Sequence, residues 1–155
     1  MQVSRKEKGF VLLQFIVFVA YLFEISRLQI FIPENLRWIA LFGAVLGLAL
    51  IVVAVLQLNT NLSPFPSPRP GAKLITSGVF AFARHPIFSG LLFLLFGVGF
   101  WLESGYKLII AVLLWLVFFA KSQYEEKKLE ETFPEYPFYK RQTGRFFPKF
   151  IKGKS

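Results

Sequence analysis

At two places in this 155-residue chain ionisable side chains crowd against long apolar runs: Arg84-His85-Pro86-Ile87-Phe88-Ser89-Gly90 and Glu125-Glu126-Lys127-Lys128-Leu129. The first stretch offers a guanidinium and an imidazole, the second a pair of carboxylates. These types make charge-assisted hydrogen bonds to anionic and cationic groups of a ligand. Pro86 at a helix start fixes the backbone without wasting a donor, and it sets His85 beside the amide-rich end of the following helix, where an anion is favoured. Glu125 and Glu126 project about 100° apart on a helix, so they cannot address one group from the same direction. One can face a ligand while the other pairs with Lys121 or Lys128, or holds a basic residue of the preceding loop. Lys121/Glu125 also has the spacing of a solvated charged face. With no cysteine, thiol nucleophiles, disulfides and cysteine metal sites are excluded, and one histidine cannot build a multi-histidine metal site. There is no Walker loop, zinc spacing or Ser/His/Asp triad, and no metal is expected.

The elements that must position these groups are membrane helices. The chain is 55% hydrophobic with 20 Phe and only 17% charged residues, which excludes a soluble fold. The expectation is an all-α, polytopic membrane helical bundle of about four transmembrane helices in one domain, 1–155. Spans are expected near 10–25, 36–58, 87–102 and 106–120, with a tail over 121–155. The last two spans form a hairpin about the polar turn Glu103-Ser104-Gly105. The basic N-terminus ahead of an apolar run imitates a signal peptide without a small-residue cleavage site, and is taken as a retained first helix. Fifteen of the eighteen Lys and Arg residues fall in the N-terminus, the middle loop and the tail; only Arg27, Arg37 and Lys107 fall in the other two loops. The positive-inside rule then puts both termini in the cytosol. The net charge of +9 reads as topology and headgroup contact, with no nucleic-acid or protein partner expected.

Pro64, Pro66, Pro68 and Pro70 should extend the middle loop along the membrane surface, where the Asn61-Leu62-Ser63 glycosylation pattern is a chance match. The tail should begin as a continuation of the fourth span, with Pro134 and Pro137 stopping regular structure. Gly97 and Gly99 interrupt a Phe- and Leu-rich helix, which costs stability unless something approaches closely. Gly43-x-x-x-Gly47 reads as helix packing, and Gly90 shares a face with Gly97. Trp101, Trp115, Tyr106 and Tyr124 belong to interfacial belts or the bundle interior.

An ordered set of pieces from about residue 60 to 148 resembles the isoprenylcysteine carboxyl methyltransferase and phospholipid methyltransferase superfamily. It comprises Gly78, Arg84-His85-Pro86, Gly90, Gly97-Val98-Gly99, Glu125-Glu126-x-x-Leu129, Phe133, Tyr136, Tyr139 and Arg145-Phe146-x-Pro148. The resemblance implies S-adenosylmethionine as methyl donor, leaving as S-adenosylhomocysteine, with a cytosolic site formed by the middle loop and the tail. It implies cofactor contacts from Arg84, His85, Pro86, Gly90, Gly97, Gly99, Glu125 and Glu126, and catalytic roles for Arg145, Glu126 and Arg84. In the phospholipid branch a matching Gly-x-Gly belongs to the cofactor site; helix packing is the other reading. Arg145 can grip a cofactor or acceptor carboxylate bidentately, or an anionic lipid. Phe80 and Phe88 stand where tyrosine is usual, and Phe133 to Tyr136 is one residue short of the common spacing.

Methyl transfer from a sulfonium is a direct displacement, which needs alignment and a water-poor pocket more than strong acid or base. A carboxylate acceptor could be positioned by Arg145 or Arg84, whereas an amine acceptor would need a glutamate to take its proton. The acceptor is expected to be a lipophilic small molecule entering laterally from the bilayer. Two other readings remain open: a membrane NADPH-dependent sterol or enone reductase, and a non-catalytic four-helix membrane module.

Overall fold

The computed structural model describes residues 4–58, 63, 67 and 71–149. The proline run and most of the glycosylation-like triplet lie outside the described residues. The described chain is helical: α1 (Arg5–Tyr21), α2 (Glu34–Leu58), α3 (Pro86–Trp101), α4 (Gly105–Thr132) and α5 (Tyr136–Gln142), with 3₁₀ turns at Ser26–Leu28 and Gly78–Ala81. Strand-like pairing among the described residues is limited to two isolated bridges, Gln29 with Ser104 and Ala83 with Gly144.

Helix boundaries follow local capping chemistry. α1 starts five residues before the expected span because Ser4 and Glu7 form a reciprocal capping box: Glu7 N donates to Ser4 Oγ (3.2 Å) and Ser4 N to Glu7 Oε2 (2.7 Å). It also ends earlier, at Tyr21, so residues 22–25 of the expected first span are not helical. Pro86 opens α3, as expected. Ser104 caps α4, its Oγ accepting from Lys107 N (3.1 Å), so the polar turn does end one helix and start the next. α4 continues well past the apolar stretch, carrying both glutamates on ordered helix. The expectation for Pro137 is corrected: it lies in the first turn of α5, where its missing N–H costs nothing, and so it begins a helix.

α2 packs on α3, α3 on α4, and α4 on α1, so the helices stand in the order α1–α4–α3–α2 and chain neighbours α1 and α2 are separated. Adjacent helices run antiparallel. The start of α1 meets the polar end of α4, with Ser4 Oγ 3.5 Å from Tyr124 Oη. The end of α1 meets the start of α4 through Lys107 Nζ donating to Tyr21 O (2.8 Å) and Phe23 O (3.0 Å). Glycines bring α2 and α3 together: a Cβ on Gly47 would lie 2.6 Å from Gly90 O, one on Gly90 2.6 Å from Gly47 O, and one on Gly97 2.5 Å from Ala40 O. Gly43 departs from the packing expectation, for a Cβ there would meet nothing within 4 Å.

The buried cluster is small, built from Tyr21, Leu92, Leu95, Ile110, Ala111, Leu114, Phe118 and Phe146, while Leu12, Phe15, Ile39, Phe42, Leu46 and Leu116 are exposed. In water such faces would aggregate; in a bilayer they are solvated. This is a membrane protein. α2 and α4 are long and apolar enough to cross a membrane. α1 (17 residues) and α3 (16 residues) each reach only about 25 Å at the α-helical rise.

Candidate functional site

Four elements converge where α3 begins and α4 turns polar. The 3₁₀ turn at Gly78–Ala81 leads into Arg84-His85-Pro86. Gly78 has φ of +59° and a Cβ there would run into the Gln57 side chain, whose Oε1 accepts from Val79 N (3.1 Å). The tail then pairs with this loop by backbone, Arg84 N donating to Gly144 O (2.9 Å) and His85 N to Arg145 O (3.0 Å), while the Ser89 hydroxyl of α3 donates to Phe146 O (2.6 Å). These bonds hold segments 60 residues apart in register.

Glu126, 1% exposed, is the hub of the resulting cluster. Its Oε1 accepts from Arg84 Nε (3.1 Å) and Nη2 (2.9 Å), and from Arg145 Nε (3.0 Å); its Oε2 accepts from Arg145 Nη2 (3.0 Å). His85 Nε2 stands 3.3 Å from Oε1, and Lys140 Nζ 3.4 Å from Oε2. Arg84 Nη1 turns away to the Lys140 and Thr143 carbonyls. Beyond the apolar stretch of α4, burial by itself would push the Glu126 carboxyl up, but hydrogen bonds from His85, Arg145 and Arg84 outweigh it and hold the group well below the usual carboxylate range.

Glu125 is in the opposite situation. Its half-buried carboxyl is pushed up by burial and only partly drawn back by His85, whose Nδ1 is 3.9 Å away, and by Lys121. It lines two adjoining cavities that share Leu58, Ser63, Phe80, Arg84 and Glu125. The smaller, about 110 Å³, is walled by Lys73, Phe133, Tyr136 and Tyr139 among others; the larger, about 320 Å³, is floored by Pro86, Ile87, Phe88 and Leu91 and edged by Gln14 and Lys121. The division of labour left open by their spacing is therefore geometric: Glu126 points into the guanidinium cluster and Glu125 into the cavities. Adjacent carboxyls with pKa values driven apart are a recurrent mark of a working site.

Tyr136 supplies a second such mark. It is 1% exposed, it lines the smaller cavity, and its hydroxyl is the buried side-chain oxygen without a hydrogen-bond partner among the described residues. Burial pushes its phenol up, and pushes that of Tyr139 to about 12, so both stay protonated and serve as hydrogen-bonding groups. Tyr139 Oη already donates to Phe80 O (2.5 Å).

The structure thus brings Arg84, His85, Pro86, Glu125, Glu126 and Arg145 together. It does not bring the glycines with them: Gly90 and Gly97 sit against α2, and Gly99 against Leu108. Arg145, chelating Glu126 and lying over the Phe119 ring at 4.8 Å, is not among the cavity-lining residues. Phe88, in the place of the usual tyrosine, stacks between His85 (5.6 Å between centroids) and Phe118 (4.7 Å), a role that needs no hydroxyl. Ser89, Tyr136 and Lys121 were not singled out as site residues by sequence reasoning. Tyr136 stood in the motif set, whereas Ser89 and Lys121 carried no signal beyond their neighbours.

The sequence model for phospholipid methyltransferases matches residues 36–136, well over half of the chain. The chain belongs to the phospholipid methyltransferase family. A curated relative, the cobalt-zinc-cadmium resistance protein CzcN of Cupriavidus metallidurans, is 33% identical over 84 residues, covering 54% of this chain and 39% of that protein. The chain therefore spans about two fifths of that relative's length. Among solved structures, the eukaryotic intramembrane Ras methyltransferase ICMT (isoprenylcysteine carboxyl methyltransferase) superposes with a TM-score of 0.68 at 24% identity, over 99% of this chain and 56% of that one. At that identity the likeness speaks for the fold. The family match and the fold likeness point to the same membrane-embedded helical architecture.

Proposed function

We propose that this chain transfers a methyl group from S-adenosylmethionine to a lipophilic acceptor, in the joined cavities beside Glu125. The observation that carries the reading is the pair of joined cavities: a smaller one into which the buried Tyr136 hydroxyl brings a polar atom with no partner among the described residues, and a larger one that sets Arg84, Lys121 and Glu125 beside an apolar floor of Ile87, Phe88 and Leu91. The residues lining the smaller cavity offer partners for the cofactor's groups. Glu125 would take its ammonium or ribose hydroxyls, the Tyr136 hydroxyl another polar group, and the rings of Phe80, Phe133 and Tyr139 would flank its base. The cofactor supplies an electrophilic methyl on a sulfonium. The Glu126 cluster holds loop and tail in place so that the walls do not have to reorganise, and the floor of Ile87, Phe88 and Leu91 keeps water from the reacting atoms. Products would be S-adenosylhomocysteine and a methylated amphiphile.

Titration of the detergent-solubilised chain with S-adenosylmethionine, S-adenosylhomocysteine and NADPH tests this. The first two should bind and NADPH should not; binding of NADPH alone would favour the reductase reading. Tyr136→Phe is the informative variant. It removes a hydroxyl that has no hydrogen-bond partner among the described residues, so the free protein should be as stable or slightly more so, while cofactor affinity should fall by about 0.5–1.5 kcal/mol. A stability loss with unchanged affinity would reverse the assignment.

We further propose that the site faces the cytosol, with both termini on that side and four passes between them, because fifteen of the eighteen basic residues fall in the N-terminus, the middle loop and the tail of the sequence, and the site is built from the described parts of that loop and tail. The chain has no cysteine, so single cysteines introduced at positions 2 and 155 can be read without background. Both should resist a membrane-impermeant maleimide in intact cells and react in inverted vesicles; labelling from outside overturns the orientation. Lateral entry of the acceptor from the bilayer accords with the apolar floor of the larger cavity.

A further inference from the structure

A cleft of about 440 Å³ lies between α1 and α4, and it shares no lining residue with the cavities beside Glu125. Its α1 wall is Lys6, Phe10 and Leu13, at the i, i+4, i+7 spacing of one helix face, and its α4 wall repeats that spacing with Ala120, Tyr124 and Lys127. Because the two helices run antiparallel, both lysines stand at the polar end, and Leu13 and Ala120 lie about 10 Å deeper at the edge of the apolar stretch. Gly9 leaves the wall between them low: a Cβ there would meet nothing within 4 Å. Lys6 and Lys127 are exposed, and neither has an ion pair or hydrogen bond among the described residues. The acids on the same turns are committed elsewhere. Glu7 is buried, capping Ser4 and accepting the Ser67 hydroxyl, and Glu131 pairs with Lys128 (2.8 Å). Among the described residues no acidic side chain lines the cleft.

We infer that this cleft holds one anionic phospholipid of the bilayer, its phosphate bridged by Lys6 and Lys127 and one acyl chain laid past Gly9 and Leu13 against Ala120. Two unpaired ammoniums at headgroup level above an apolar trough complement such a lipid in both charge and polarity. A soluble anion would use only the lysines and leave the trough bare. A zwitterionic lipid would bring its own cation to a place that already holds two. The lipid is a structural ligand, apart from the cavities where chemistry is proposed. It joins α1, which precedes the residues 36–136 matched by the family model, to the helix that carries Glu125 and Glu126. The inference does not rest on the methyltransferase reading.

The test is native mass spectrometry of the full chain released from nanodiscs of equal dioleoylphosphatidylglycerol and dioleoylphosphatidylcholine. Phosphatidylglycerol carries neither a carboxylate nor an amine, so its retention is independent of any methyl transfer. The first retained lipid should be phosphatidylglycerol over phosphatidylcholine by about thirtyfold, the scale of two lysines at a membrane surface. Lys6→Gln combined with Lys127→Gln should erase that preference. Arg141→Gln combined with Lys149→Gln removes the same charge from the tail and should keep it. Gly9→Leu, which builds into the trough and is favoured in a helix, should lower retention with both lysines in place. Glycerol 3-phosphate should not displace the lipid. A preference that survives loss of both lysines overturns the inference, as does one that falls equally in the tail variant, because diffuse charge would then gather the lipid. Unchanged retention in Gly9→Leu overturns it too, and so does displacement by glycerol 3-phosphate, which would make the occupant a soluble anion.

Discussion

Glu126→Gln should destabilise the site end of the bundle by about 3–5 kcal/mol, the scale for removing one partner of a buried ion pair. The glutamine keeps the shape and one acceptor, but it loses the charge that two guanidiniums share and turns an amide toward them. Hydrogen exchange is the direct measurement. The Arg84 and His85 amides, bonded to the Gly144 and Arg145 carbonyls, should lose most of their protection. α2 and α3, joined through Gly47 and Gly90, should not. Acid carries the same signature. Because the folded Glu126 carboxyl titrates below its unfolded value, its contribution is fully present above the ordinary carboxylate range near about 4.3 and is lost as pH falls through the lower folded value. Wild type should therefore lose stability on strong acidification with a slope that Glu126→Gln lacks. Glu125→Gln is the control, since a half-buried carboxyl with a raised pKa contributes little to the fold and its loss should appear in ligand affinity. If Glu126→Gln leaves exchange unchanged and weakens only ligand binding, the hub role is wrong.

Arg84→Lys should cost nearly as much as Arg84→Met, about 2–4 kcal/mol, although it conserves the charge. The guanidinium serves Glu126 with one edge and the Lys140 and Thr143 carbonyls with the other, and a single ammonium cannot reach both. Combined with Glu126→Gln in a double-mutant cycle, Arg84→Met should show a coupling of about 1–3 kcal/mol, because each residue answers the other's charge. Thermal unfolding and exchange at Ala83 to Pro86 in the same nanodiscs read both quantities. Additive effects, or full rescue by lysine, would reduce the contact to an incidental ion pair.

These two residues also mark how far the chain was legible before folding. Arg84, His85, Glu125 and Glu126 stand out by type and spacing, because charged groups beside apolar spans are costly and seldom idle, whereas Arg145 enters only through the motif resemblance. Their roles were not found. The 100° between neighbouring glutamates required two different jobs, yet nothing local said which carboxyl would turn inward. That was decided by where the tail returns, since Arg145 reaches Glu126 only after α5 has reversed the chain. Gly90 and Gly97 were ambiguous for the same reason: a glycine announces a close approach but not what approaches, and here it is α2.

The sequence by itself determined the solvent and the helical class. Hydropathy, capping and charge asymmetry act within a few residues and need no partner to be read. Only the tertiary structure decided that α1 stands beside α4, away from α2. That placement brings Gln14 to Lys121, and the return of the tail leaves the Tyr136 hydroxyl buried without a partner among the described residues. Long-range packing sets which buried polar atoms are satisfied internally and which are left for a ligand, because that balance depends on chain segments more than a hundred residues apart meeting at hydrogen-bond distance.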